Sequence, residues 1–135
     1  YDFDFVCEHT LDEIEIALNA ICFKRNGRLF INDKCKFTLD FVAPPVMIAQ
    51  EHISDKSILK TKFGDLYLLT PMDCVRDRLA AYYFWNDPQC FQQALLVYKN
   101  YTAQIDINII KNWSIKENFK DKFEEFLKKA ILSGK

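Results

Sequence analysis

The sequence predicts an α+β fold in which a small mixed or antiparallel sheet is followed by a C-terminal helical bundle. Short alternating apolar segments and turn signals occupy residues 1–69, whereas capped helical patterns occupy residues 70–135. Half of the 135 residues are hydrophobic, and with 3 glycines and 4 prolines the chain is not of disordered composition. We therefore expect a strand-helix region, 1–69, and a helical region, 70–135, packed as one unit.

Bulk charge and cysteine content exclude several classes of protein. The net charge of −1 gives no broad basic surface for nucleic acid or anionic membrane. No apolar run approaches the roughly 20 residues of a membrane-spanning helix. The 5 cysteines are scattered without a C-x-x-C pair, and only 2 histidines are present, which disfavours a structural zinc site. We predict reduced, mostly buried thiols in a cytoplasmic protein with no membrane contact.

The strand-helix region begins with a strand over residues 1–6 and a capping box at Thr10-Leu11-Asp12-Glu13. The helix that follows is predicted to end near Ile21 and to bury that residue. The remaining segments are assigned in chain order as a turn at 24–27, paired strands at 28–31 and 36–42, an unassigned stretch at 46–56, and a hairpin of 58–62 with 66–69 around Gly64-Asp65.

The helical region contains four N-terminal signals. They are Thr70-Pro71, Asp87-Pro88, Asp106, and a second capping box at Ser114-Ile115-Lys116-Glu117. The first three helices are predicted to end near residues 84, 99 and 112. The last should bury an apolar stripe at helical spacing, made of Ile115, Phe119, Phe123, Phe126 and Leu127.

Three acids form the strongest chemical signal. Alternation places Asp2 and Asp4 on one face of the first strand, about 7 Å apart. Asp40 lies in a similar apolar strand, Phe37 to Val42. Carboxylates held side by side repel each other, and a shared divalent cation of the kind used in phosphoryl or nucleotidyl transfer relieves that repulsion. The alternative reading is that all three are exposed acids on the polar faces of edge strands.

The order of these features resembles the nucleotidyltransferase superfamily, related to the polymerase-β palm. Within it the chain is most similar to AbiEii-like bacterial proteins, some of which are toxins of toxin–antitoxin systems. Tyr1–Val6 matches their acid-x-acid strand, Asp40 their third acid, and Arg78-Leu79-Ala80-Ala81 the basic residue before Leu-x-Ala on a Thr-Pro-capped helix. Asn86-Asp87 resembles the polar-acidic pair that follows.

The resemblance implies a metal-dependent transfer of a nucleoside monophosphate from a nucleoside triphosphate to an RNA, protein or small-molecule acceptor. Asp2, Asp4 and Asp40 would be the catalytic residues and would hold Mg²⁺, with Mn²⁺ as the alternative ion. Nucleotide binding would involve Arg78 first, then Arg76 and Asp87, and Lys62 less. The alternative, structural roles are a salt bridge from Arg78 to Asp73 or Asp77, and a helix cap at Asp87.

Members of the superfamily also carry a Gly-Gly or Gly-Ser turn before the acid-x-acid strand, and this turn holds the nucleotide phosphates. It is not within the present sequence, so the resemblance implies weak metal binding and unproductive triphosphate binding by these residues alone. The alternative function is a catalytically inactive member that acts as a protein-interaction module, with an antitoxin partner or as a homodimer. A plain nucleic-acid-binding domain is disfavoured because no basic stripe is present.

Overall fold

The computed structural model describes residues 2–132, which form two compact units. The first unit ends at Val46 and the second begins at Met47. Five α-helices and three small sheets give an α+β fold, which confirms the predicted class. The last strand ends at Leu68 and the next helix begins at Pro71, so the compact units divide earlier in the chain than the change from strands to helices. None of the helices over residues 2–132 is long and apolar enough to cross a membrane.

The first unit is a four-stranded sheet with one helix. Its elements in chain order are β1 Asp2–Val6, α1 Leu11–Asn19, β2 Lys24–Asn26, β3 Leu29–Ile31 and β4 Thr38–Val42. The strand order is β1-β4-β3-β2, with β1 parallel to β4 and the other pairs antiparallel. The predicted pairing of β3 with β4 is therefore confirmed.

Helix α1 begins at the predicted capping box. The Thr10 hydroxyl accepts a hydrogen bond from the Glu13 N–H at 3.3 Å, and the Glu13 carboxylate accepts one from the Thr10 N–H at 2.8 Å. The helix buries Ile14 against Phe23 and Phe30. The prediction that it buries Ile21 was wrong. The helix ends at Asn19 because the chain turns through Cys22 in a left-handed conformation, which leaves Ile21 exposed.

The prediction of a turn over residues 24–27 was also wrong. Lys24–Asn26 pairs with Leu29–Ile31 as strand β2, and the turn is confined to the next two residues, where Gly27 has a φ of 65°. The three residues of β2 are polar and exposed, which an edge strand tolerates. Because they do not alternate with apolar residues, the sequence carries no strand signal there.

The second unit contains two hairpins and four helices. Their bounds are β5 Met47–Ile48, β6 Glu51–His52, β7 Ser57–Thr61, β8 Gly64–Leu68, α2 Pro71–Trp85, α3 Pro88–Tyr101, α4 Ile107–Lys116 and α5 Lys120–Leu132. A 3₁₀ turn over Thr102–Gln104 joins α3 to α4. The predicted β7–β8 hairpin is confirmed. The stretch left unassigned forms the β5–β6 hairpin, and its Ile48 is buried in the core of the helices.

The predicted N-caps of α2, α3 and α4 are confirmed. The Thr70 hydroxyl accepts from the Asp73 N–H at 3.1 Å, and Asp87 accepts from the Gln89 N–H at 2.8 Å. Asp106 accepts from the Asn108 N–H at 2.9 Å. Asn86, with a φ of 53°, ends α2 in a left-handed conformation that asparagine adopts more readily than most residues.

The second capping box, at Ser114, was a wrong prediction. Ser114 lies inside α4, is fully buried, and its hydroxyl donates to the Ile110 carbonyl at 2.8 Å. The break between α4 and α5 falls instead at Asn118, which has a φ of 66°. The register of the last apolar stripe shifts as a result. Phe123 and Phe126 are buried as predicted, whereas Ile115 is 44% exposed.

Candidate functional site: the acid face of the first sheet

Strands β1 and β4 bring two of the predicted acids side by side. In their parallel pairing Asp4 is opposite Asp40, and Asp2 is opposite Thr38. Opposed residues share a face, so all three acids lie on one face of the sheet. The residues between them, such as Leu39 and Phe41, pack against the core that contains Ile14 of α1. The acids therefore occupy the face opposite α1, and we call this surface the acid face.

Asp40 has the most unusual environment of the three. Its side chain is only 5% exposed. One carboxylate oxygen, Oδ2, accepts a hydrogen bond from the Arg28 guanidinium, whose own side chain is 71% exposed. The other oxygen, Oδ1, is buried and has no hydrogen-bond partner within residues 2–132. A buried carboxylate with an open oxygen is costly to the fold, so it suits a site completed by a ligand.

The three acids do not converge to the extent that the sequence suggested. Asp2 and Asp4 are exposed on β1, whereas Asp40 is buried on β4. Across the described part of the chain, no three His, Cys, Asp or Glu side chains lie close enough together to hold a metal ion. The geometry therefore provides a pair of neighbouring carboxylates rather than a three-ligand cluster. A pair is compatible with Mg²⁺, which is often bound by one or two carboxylates together with substrate phosphates.

Arg28 is the functional candidate that sequence reasoning missed. It precedes β3, and the register of β3 with β4 places Leu29 opposite Asp40. Only part of the signal was in the sequence, which predicted that the two strands pair and assigned the turn between them to Asn32-Asp33-Lys34. Counting back from that turn, however, puts Arg28 opposite Thr38, whereas the wider loop of the structure sets Leu29 opposite Asp40. What the sequence did not reveal is the burial of Asp40, which makes this ion pair significant.

Arg76, a predicted nucleotide ligand, is held in a buried ion-pair network of the second unit. Its guanidinium donates to Asp73 at 3.1 Å and also to Glu51, and it lies 5.1 Å from the centre of the Trp113 ring. Glu51 also accepts a hydrogen bond from Lys116 at 2.8 Å. That bond, with the charge of Arg76, lowers the pKa of Glu51. Arg76 thus links β6 to α2 and has a structural role.

Arg78 and Asp87 have local partners on neighbouring helices. Arg78 donates to the carboxylate of Asp77 and to Gln93 at 3.3 Å. The contact with Asp77 is the salt bridge that the sequence offered as the alternative to nucleotide binding. Asp87 caps α3, and the thiol of Cys90 with the backbone N–H groups of Gln89 and Cys90 lowers its pKa. Asp87 is accounted for as a cap. The Arg78 side chain is 39% exposed, whereas that of Arg76 is 7% exposed.

A separate cavity of about 480 Å³ lies on the α1 side of the first sheet. It is lined mainly by apolar side chains that include Ile14, Leu18 and Phe41. His9 and Glu13 also line it, and the His9 Nδ1 lies 3.7 Å from the Glu13 Oε2. An apolar lining is unsuited to a polyphosphate, which requires cationic and N–H groups. The acid face, rather than this cavity, is therefore the candidate site for nucleotide chemistry.

Comparisons of the chain with protein-family models, with curated proteins and with solved structures find no match. The function is therefore inferred from the acid face itself.

Proposed function

We propose that this chain is a metal-dependent nucleotidyltransferase-like protein of AbiEii-like type. It would transfer a nucleoside monophosphate from a nucleoside triphosphate to an RNA, protein or small-molecule acceptor. The observation that carries the proposal is the parallel pairing of β1 with β4, which sets Asp4 beside a buried Asp40 whose Oδ1 has no partner in residues 2–132. Such a pair matches what the resemblance to nucleotidyltransferases requires of the acid-x-acid strand and the third acid.

Each residue of the acid face would have a distinct part. Asp4 and Asp40 would supply the carboxylate oxygens for Mg²⁺ or Mn²⁺, and Asp2 would join them once substrate is present. When bound, the metal would supply activation of the attacking hydroxyl and neutralisation of charge on the leaving pyrophosphate. Arg28 balances the charge of Asp40, and its exposed guanidinium can turn toward a phosphate oxygen without disturbing the core. Arg78 remains the candidate phosphate ligand of the second unit.

Calorimetric titration of Mg²⁺ with a nucleoside triphosphate tests the proposal. We expect heat of binding that depends on both components in the unmodified chain and that is lost in Asp4→Asn and in Asp40→Asn. Asp33→Asn is the matched control, because Asp33 is an exposed acid of the same unit that lies in the turn between β3 and β4 and not on a strand. The absence of metal-dependent nucleotide binding, or an equal loss in Asp33→Asn, would contradict the proposal.

A second candidate function is a catalytically inactive interaction module, as one half of a toxin–antitoxin pair or as a homodimer. Two observations favour it: the three acids do not converge, and large apolar side chains such as Trp85 and Phe63 are 77% and 89% exposed. Calorimetry separates the two functions. An interaction module retains its partner binding in Asp4→Asn and Asp40→Asn, whereas a nucleotidyltransferase loses its metal-dependent step.

A further inference from the structure

Arg28 is held on the acid face by a single side chain. Within residues 2–132 its guanidinium hydrogen-bonds to Oδ2 of Asp40 and to no other group. Arg25, on strand β2, is held more firmly, because it donates to the Asp12 carboxylate at 2.5 Å and to the Gly27 carbonyl at 3.0 Å. An arginine with one partner and a side chain that is mostly in solvent can exchange that partner at little cost to itself.

The backbone at Arg28 is fixed by a two-residue turn. Asn26 pairs with Leu29, so Gly27 and Arg28 alone connect β2 to β3, and Gly27 supplies the positive φ that such a tight turn requires. Leu29 in turn lies opposite Asp40. The turn is therefore anchored beside Asp40, and rotation about side-chain bonds is enough to carry the Arg28 guanidinium from Asp40 to solvent.

A divalent cation would bind the carboxylate that Arg28 occupies. Arg28 takes Oδ2 of Asp40, and Oδ1 is buried with no partner in the described residues. A metal ion on Asp40 would either displace the guanidinium or lie beside a like charge, and both outcomes weaken its binding. Arg28 loses little when it leaves, whereas the buried Asp40 then requires another cation. Release of Arg28 and binding of a metal ion are thus coupled through Asp40.

Arg28 is the basic residue placed to control Asp40. Of the residues described in the four strands, Lys24 is the basic one on the acid face, since it lies opposite Ile31, two residues along β3 from the partner of Asp40. Strand β3 lies between β2 and β4, so the backbone of Lys24 is roughly 10 Å or more from that of Asp40. Arg25 points to the other face, where it contacts α1.

We propose that Arg28 makes metal binding at the acid face depend on nucleotide. In the free protein its guanidinium holds Asp40. When a nucleoside triphosphate binds, the guanidinium moves to a phosphate oxygen, to which its planar fork can donate two hydrogen bonds, and Asp40 is released to hold the divalent cation beside Asp4. The inference rests on the proposed function and adds an order to it, in which metal alone binds weakly and metal with nucleotide binds well.

Two affinities that should change in opposite directions test the proposal. The electron paramagnetic resonance signal of free Mn²⁺ measures binding of the metal alone, and Arg28→Gln should bind it roughly tenfold more tightly than the unmodified chain, because the competing cation is gone. Calorimetry with ATP, CTP, GTP and UTP in excess Mg²⁺ measures nucleotide binding. Arg28→Gln should bind the preferred nucleotide roughly tenfold more weakly, because a phosphate ligand is lost.

Three further variants separate this role from a structural one. Arg25→Gln is the matched control, because it removes the same charge from the same unit on the α1 side, and both affinities should stay within about twofold of the unmodified chain. Arg28→Lys keeps the charge beside Asp40 and should bind Mn²⁺ alone within about threefold of the unmodified chain. The gain in Mn²⁺ affinity should vanish in Arg28→Gln/Asp40→Asn, because it acts through Asp40.

Circular dichroism of each variant reports whether the fold is retained. If nucleotide binds and Arg28→Gln has the Mn²⁺ affinity of the unmodified chain, the inference is overturned while the proposed function stands. A gain in Arg25→Gln equal to that in Arg28→Gln, or one that persists without the Asp40 carboxylate, would overturn it in the same way. Absence of metal-dependent nucleotide binding in every variant would overturn the proposed function and this inference together.

Discussion

Within residues 2–132, Asp40 of the first unit and Asp73 of the second are buried carboxylates paired with an arginine, and they differ in how completely their oxygens are hydrogen-bonded. Asp73 accepts from Arg76 through Oδ1 and from the Thr70 hydroxyl, at 2.7 Å, through Oδ2. Arg76 is itself only 7% exposed. Asp40 accepts from Arg28 through one oxygen, its other oxygen has no partner in residues 2–132, and Arg28 is 71% exposed.

This difference separates a structural ion pair from a candidate site. In the second unit the carboxylate has a partner on each oxygen, and burial of both charges is compensated by further contacts, such as Glu51 and the Trp113 ring. Among the described residues, two nitrogens of that network, the Arg76 Nε and the Trp113 Nε1, have no hydrogen-bond partner, whereas each carboxylate oxygen of Asp73 has one. In the first unit a buried oxygen is left open beside Asp4. An acid kept in an unfavourable place, next to a second acid, indicates a function rather than a contribution to stability.

The largest effect is expected from Arg76→Met. This change leaves the buried Asp73 without its cation and removes one of the two cations of Glu51, and the loss of one partner of a buried ion pair typically costs about 3–5 kcal/mol of unfolding free energy. Urea unfolding followed by circular dichroism measures it. Arg78→Met is the control, because Arg78 lies two residues further along the same helix with a side chain that is 39% exposed, and it should cost about 1 kcal/mol or less. Equal costs for both variants would remove the distinction between a buried network and a surface pair.

A pair of conservative changes compares the two carboxylates directly. Asp73→Asn removes the charge that Arg76 requires and should destabilise the protein by about 1–3 kcal/mol. Asp40→Asn removes a buried charge with one open oxygen, and its cost should stay below about 1 kcal/mol. The same unfolding measurement applies. If Asp40→Asn proves the more damaging of the two, Asp40 is a structural residue and the comparison fails.

The smallest effect concerns pH. Because the hydrogen bond from Lys116 and the charge of Arg76 lower the pKa of Glu51 below 4.5, the folded state favours its ionised form. That stability is present above the ordinary pKa and is lost as pH falls through the lowered value. Lys116→Gln should raise the pKa of Glu51 and reduce the loss of stability on acidification. Unfolding titrations at a series of acidic pH values would show this, and an unchanged pH dependence would refute it.

The sequence predicted the parts of the fold that depend on local chemistry. Thr10, Thr70, Asp87 and Asp106 begin helices as expected, because a side-chain oxygen satisfies N–H groups within the next three residues. The same rule failed at Ser114, where a Ser-x-x-Glu pattern lies inside a helix. The buried contact of its hydroxyl with Tyr83, at 2.9 Å, is tertiary and has no local signature.

The candidate site was predictable in outline and not in detail. Alternation placed Asp2 and Asp4 on one face, and a resemblance of Phe37–Val42 to the first strand drew attention to Asp40. The parallel pairing that sets Asp4 opposite Asp40 joins residues far apart in the chain, so spacing could not reveal it. Nor could spacing show that Arg76 is buried beside Glu51, which is 25 residues away. Burial and long-range partners decide which charged residues are structural.

The measurement that most directly tests the central claim is paramagnetic broadening of backbone NMR signals by Mn²⁺. If the acid face is a metal site, substoichiometric Mn²⁺ should first broaden the amide signals of Asp4 and Asp40, and the effect should disappear in Asp40→Asn. Signals around Asp73 should stay sharp, because its carboxylate oxygens are already occupied. Broadening that is absent, that is equally strong around Asp73, or that persists in Asp40→Asn would contradict the account.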